Sequence, residues 1–315
     1  MGVVLGLMRR RHEAMHYLQR ALTLAHELGY RLGEARVCNS VGQAFMEYAH
    51  PALAIHYFER GLKICDQLGA RVESAALLGK LGQGYLAEER FSDAVTIFRR
   101  DLELSRTSGN IRVLGHSHLN LGQSLSGGRT DEEALSAFRE AVRCFEQVDD
   151  QSNLGRALLE LCKTQLRLGN YPEAEHASRT ALGILQSFKH SASGVAQAHA
   201  LVATTLRHAG RASEALPSFD AALKQFEDSG PTAEHAYCLF EYGRALAALE
   251  QKTEAAARFG AAVQMAVKLS LRSATTRYLD ALAAEDDAGA LSALMMSVLG
   301  PGEEMLRPEP AVVGG

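Results

Sequence analysis

A small side chain returns on a forty-residue clock. Ala14, Ala54, Ala94, Ala134, Ala174, Ala215 and Ala255 are separated by 40, 40, 40, 40, 41 and 40 residues. Twelve positions before each stands another small residue: Gly2, Gly42, Gly82, Gly122, Cys162, Ala203 and Gly243. Four positions after stand Leu18, Phe58, Phe98, Phe138, Ser178, Phe219 and Phe259, and seven after stand Ala21, Gly61, Asp101, Ala141, Ala181, Ala222 and Ala262. A period held this long means that each copy is one supersecondary unit, which buries its apolar face only by stacking on its neighbours.

The unit reads as a pair of helices. Alternating β-branched runs and Asn-Gly turns are absent from the sequence. Small residues at fixed places let two helices approach closely, and the aromatic fills the space beside helix B. Fifteen positions after the clock residue, glycine recurs at Gly29, Gly69, Gly109 and Gly230, with Asp149, Lys189 and Ser270 in the other copies. Glycine there adopts a left-handed conformation that ends a helix. In the second copy the pattern predicts helix A over about 31–48 and helix B over about 51–68, with Pro51 in the first turn of helix B.

The recurring strings "VGQAF", "LGQGY", "LGQSL" and "YGRAL" in helix A, and "ALAIHYFERGL", "DAVTIFRRDL", "EALSAFREAV" and "EALPSFDAAL" in helix B, resemble tetratricopeptide (TPR) repeats. The resemblance spans 1–270 and implies an all-α, right-handed superhelical solenoid of about seven helix-pair repeats. Their predicted bounds are near 1–29, 30–69, 70–109, 110–149, 150–190, 191–230 and 231–270. Capping helices are expected over 271–299 and a disordered tail over 300–315. The one-residue excess in the spacing falls near "KHSASG" (189–194), where a bend is expected. The forty-residue length, rather than 34, is similar to the C-terminal TPR regions of bacterial antibiotic-regulatory-protein and nucleotide-switch transcription regulators.

By the same resemblance, ligands contact fixed positions of helix A in a concave groove. Carried onto this chain, those positions are Arg36, Asn39, Gln43, Lys80, Gln83, His116, Asn120, Gln123, Arg156, Lys163, Arg167, Arg207 and Arg244. The arginines and lysines of the middle and later copies suit an acidic peptide, since guanidinium grips carboxylate with forked hydrogen bonds. The row Gln43, Gln83 and Gln123 suits the backbone of an extended peptide. An ordinary solvated helix face is the competing reading. The lysine-asparagine set with which chaperone-binding TPR domains hold a C-terminal carboxylate is missing: its position reads Asn39, Gly79, Leu119, Leu159, Ala200 and Phe240.

One stretch points elsewhere. "HEAMH" (12–16) matches H-E-x-x-H, in which two histidines on one helical face bind zinc and the glutamate acts as base. Yet Ala14 is the clock residue, and Glu13 aligns with Asp93, Glu133, Glu173, Glu214 and Glu254, acids that complement the helix dipole at the start of helix B. His16 aligns with His56 and His176, which lack the His-Glu before them. The extended zincin pattern also wants glycine at 19 and histidine at 22, where Gln19 and Leu22 stand.

Composition bounds the rest. The net charge of −4 gives no basic field for nucleic acid or anionic lipid. Five dispersed cysteines without a C-x-x-C pair suggest reduced thiols and a cytoplasmic setting. No apolar run approaches the roughly 20 residues of a membrane span. "GKLGQG" (79–84) lacks P-loop spacing, and no cofactor is expected. Gly2 is the eighth position of its helix A, so the first copy lacks half a helix. Val3, Val4, Leu5 and Leu7 would lie on an uncapped face. The expectation is a piece of a longer chain, or burial of that end by homo-oligomerisation. The functional reading is a non-catalytic protein or peptide interaction module, the sensor region of a bacterial signalling or transcription regulator, contacting a partner or other domains of its own parent chain. The alternatives are a stand-alone self-associating scaffold or peptide receptor, and a zinc enzyme built on HEAMH.

Overall fold

The computed structural model describes residues 11–188, 192–227, 230–271 and 274–279, without the side chains of 11 and 12. The first half-helix, the centre of the expected bend, most of the capping region and the tail lie outside the described residues. Thirteen helices are found among the described residues: α1 Arg11–Glu27, α2 Arg31–Glu47, α3 Pro51–Leu68, α4 Arg71–Ala87, α5 Phe91–Ser108, α6 Ile111–Gly127, α7 Asp131–Gln147, α8 Gln151–Arg167, α9 Tyr171–Gln186, α10 Ala192–His208, α11 Ala212–Glu227, α12 Ala233–Ala248 and α13 Lys252–Lys268. Even-numbered helices are the A helices of the pattern and odd-numbered ones the B helices. Residues 274–279 are helical as well.

Two compact units divide the chain, Met1–Ile184 and Leu185–Gly315. In the first, the pairs α2/α3, α4/α5 and α6/α7 stack in order, and successive A helices also touch: α2 with α4, α4 with α6, α6 with α8. In the second, α10 pairs with α11 and α12 with α13, and α10 touches α12. Each unit thus carries a layer of A helices in mutual contact, with the B helices outside it.

The clock residues hold these layers together. Ala14, Ala54, Ala94, Ala134, Ala174 and Ala215 are fully buried, and Ala255 nearly so. The glycine twelve positions earlier has a particular partner. A Cβ on Gly42 would lie 2.4 Å from the Phe58 ring, on Gly82 2.3 Å from Phe98, on Gly122 2.6 Å from Phe138, and on Gly243 2.6 Å from Phe259. Each phenylalanine ring therefore packs against bare backbone of its own helix A. Where the glycine is missing, the ring changes. Cys162 faces a copy in which Ser178 replaces phenylalanine. Phe219, in the copy with Ala203, stacks on Tyr242 of the following A helix, with centroids 5.1 Å apart at 9°. The pairs obey one packing limit: the small residue and the ring share a fixed volume.

The helix ends follow the glycine prediction and add to it. Gly29, Gly69, Gly109 and Gly230 all have positive φ, and Asp149 (φ 50°) and Ser270 (φ 56°) adopt the same conformation without glycine. A second left-handed residue, which the sequence reading missed, closes each described helix A: Ala49, Glu89, Arg129, Gly169, Gly210 and Glu250. Most of these carry a Cβ, so no glycine advertises the turn.

Candidate peptide-binding face

The expected site residues fall into two sets, one in each unit. In the first unit, the A helices α2, α4, α6 and α8 present Arg36, Asn39 and Gln43; Lys80 and Gln83; His116, Asn120 and Gln123; and Arg156, Lys163 and Arg167. One bond joins two neighbouring members, and another ties a member to the next A helix. The Lys80 Nζ donates to Gln43 Oε1 at 2.6 Å, and Arg36 donates to Glu73 Oε1 at 2.6 Å. Gln43 and Gln83 are exposed, whereas Asn39, Asn120 and Gln123 are half-buried. The Asn39 Oδ1 is buried with no hydrogen-bond partner. His116 turns partly into the core, its ring edge-on to Phe145 at 5.2 Å, and burial pushes its pKa down.

The cations meet acids of their own chain. Arg167 grips Asp131 with Nε at 3.0 and 3.1 Å and Nη2 at 2.7 Å, and also donates to Ser126 Oγ at 2.6 Å. Lys163 pairs with Glu160 one turn away at 2.9 Å, and Arg156 donates to Asn153 at 3.3 Å. In the second unit, the buried carboxylate of Glu241 on α12 accepts from Arg207 Nε of α10 at 2.8 Å, while Arg244 stands 3.9 Å away. The Arg167 and Arg207 bonds tie their A helices to a neighbouring repeat, so they fix the face as well as neutralise it, whereas those of Lys163 and Arg156 stay within α8. The cations are legible in the sequence, whereas their partners Glu73, Asp131 and Glu241 are not. A signal existed: Glu73 follows Arg36, and Lys80 follows Gln43, by 37 residues, one repeat less about one helical turn.

No protein-family model matches the sequence, and no curated protein does. Solved structures do. A signal-transduction ATPase with numerous domains from Pyrococcus horikoshii, which carries a tetratricopeptide-repeat sensor, aligns with a TM-score of 0.70 at 13% identity over 88% of this chain and 43% of that one. The apo form of RapI aligns at 0.68 and 16% identity, over 85% of this chain and 96% of its own. A Rap protein complexed with competence and sporulation factor aligns at 0.57 and 16%, over 93% and 87%. The chain has the tetratricopeptide-repeat fold.

In that fold HEAMH has a fixed place. Its central Ala14 is the buried clock residue of a TPR helix B, while Glu13 and His16 are exposed, with His16 edge-on to Tyr17 at 5.9 Å. The side chain of His12 lies outside the described residues. Among the described residues no three His, Cys, Asp or Glu side chains gather as metal ligands, and no helix is long and apolar enough to cross a membrane. All five cysteines are buried, and burial raises Cys38 to about 11 and Cys238 to about 12, which leaves them as poor nucleophiles.

Proposed function

We propose that this protein is an interaction module that lays an extended peptide segment along the A-helix face of its first unit. The observation that carries this reading is the amide row. Asn39, Gln43, Gln83, Asn120 and Gln123 sit on successive A helices that touch one another, and Lys80 ties Gln43 into place. A primary amide both donates and accepts, so a row of them matches the alternating N–H and C=O groups of an extended chain. Because Arg156, Lys163 and Arg167 are already engaged, they supply orientation and tolerance of acidic side chains rather than the main attraction. The TPR sensor of the Pyrococcus ATPase and the Rap protein bound to competence and sporulation factor give the same reading by analogy of fold. On that analogy the module belongs to a regulator in which a bound segment, from a partner or the parent chain, sets the activity of another domain.

An array of varied peptides probed with the full chain tests this. Binding should persist in Arg156→Glu/Lys163→Glu and fall at least several-fold in Gln43→Ala/Gln83→Ala/Gln123→Ala. Equal binding by the amide-deleted protein would overturn the proposal. A second reading, self-association, is favoured by the exposed Tyr17 and Leu24 on α1 and by Leu28 and Tyr30 just after it. Light scattering that shows mass rising with concentration, and Leu24→Glu abolishing the rise, would support it.

A further inference from the structure

At one register, arginine laces two of the B helices to their neighbours. Six positions after the clock residue stand Arg60 on α3 and Arg100 on α5. Arg60 donates to the buried Glu34 at 2.6 Å, and Arg100 bonds Asp66 at the end of the preceding B helix. Burial alone would raise the Glu34 pKa, but the Arg60 bond and the charges of Arg60 and Arg31 hold it below the usual range. Arg60 thus ties α3 to the start of its own helix A, and Arg100 ties α5 to the preceding B helix. At the α5/α7 seam the same two positions carry the opposite signs, Arg106 and Glu140.

At the α11/α13 seam the lace is cut. The arginine position is Ala261, while the acid position opposite still carries Glu227, the counterpart of Asp66. The place of Glu34 is taken by His235, whose ring stacks on Phe226 with centroids 5.0 Å apart at 9°. What remains is a depression of about 430 Å³ walled by Phe226, Glu227, Pro231, His235, Met265 and Lys268. Glu227 is exposed and has no ion pair among the described residues. The imidazole Nδ1 is buried without a hydrogen-bond partner.

We infer that this depression receives an arginine side chain from a partner peptide, in the place that Arg60 and Arg100 take within the chain. The site is distinct from the amide row, and goes beyond it. Three features select guanidinium. A planar cation can rest on the half-buried His235 ring, which is backed by the fully buried Phe226, and against the half-buried Met265 thioether. Glu227 answers its charge, as Asp66 answers Arg100. The apolar walls accommodate the methylene stem, which in Arg60 and Arg100 comes from the chain itself. A lysine makes a poorer fit, because its ammonium is compact, strongly hydrated and cannot stack as a plane.

The probe is a short capped peptide with one arginine, compared with the same peptide carrying citrulline, which has the shape without the charge. The readout is the Met265 methyl signal of methyl-labelled full-length protein, assigned with Met265→Leu. The arginine peptide should shift that signal saturably, and citrulline should bind about tenfold more weakly, the scale of one charge-assisted hydrogen bond. Glu227→Gln, a surface change with no packing consequence, should weaken the arginine peptide to the same degree. Ala261→Arg should move the Met265 signal without peptide and block further shift. An unmoved Met265 signal, equal binding of citrulline, or undiminished binding by Ala261→Arg protein of wild-type helicity would overturn the inference. Because Gln43→Ala/Gln83→Ala/Gln123→Ala leaves this site intact, its failure and that of the amide row are told apart.

Discussion

Asp101 occupies the position that alanine or glycine holds in the other six copies. It is buried and accepts from Ser117 Oγ at 2.6 Å, and Ser117 in turn lies 2.8 Å from Ser105 Oγ. Burial raises its pKa, against the opposing effect of the Ser117 bond. A carboxyl whose folded pKa is raised loses stabilising power as pH climbs through that value, because ionisation is then easier in the unfolded chain. Asp101→Asn keeps the shape and removes the charge. Its stability relative to the wild type should therefore improve as pH rises from about 4 to about 8, read from urea midpoints; a pH-independent difference would refute the assignment. Helix ends give a second residue-scale prediction. Glu89 closes α4 at φ 54°, where a Cβ is strained. Glu89→Gly should raise stability by about 1 kcal/mol, and Gly69→Ala should lower it by a similar amount. The sequence disclosed the second kind of turn and hid the first, since glycine marks a left-handed residue only where the chain happens to use it.

Between elements, the bonds differ sharply in burial, and so should their worth. Glu241 and Arg207 are both almost wholly withdrawn from water, whereas Arg167 is about one-third exposed beside Asp131. Removing one partner of a buried pair strands the other, so Glu241→Ala should cost about 3 kcal/mol or more. Arg167→Ala should cost about 1 kcal/mol or less, because water replaces what is lost. Chemical denaturation separates these; equal costs would contradict the burial order. At this scale the helices themselves were legible, because a period of forty with two small positions admits only a packed helix pair. The partners of the cations were not. They depend on which turns face each other across a repeat, and the 37-residue offset means something only once the helices are known to run side by side.

For the molecule as a whole, acid is the revealing stress. Burial lowers the pKa of His116, His118, His199, His208 and His235, which span both units. A depressed folded pKa means that the unfolded chain takes up protons first, so stability is full above the ordinary histidine range near about 6.5 and falls as pH drops below it. Glu34 and Asp150, both held low by net interactions with cations or amides despite burial, add to the loss at still lower pH. Thermal melting should therefore decline continuously from about pH 7 to about pH 4, and a flat profile would contradict the buried, neutral histidines. The repeat and the identity of its small residues were readable in the sequence. The division at Ile184 was foreshadowed only by the irregular spacing further on, and the amide row was readable as positions but not as a supported face. Everything rests on the interlock between glycine and ring, and a double-mutant cycle on Gly82 and Phe98 tests it most directly. Gly82→Ala should destabilise by about 1–3 kcal/mol although alanine is the better helix former, and most of that penalty should vanish in a Phe98→Leu background. If Gly82→Ala is neutral or stabilising, or costs the same with and without the ring, the forty-residue register is not what packs these helices.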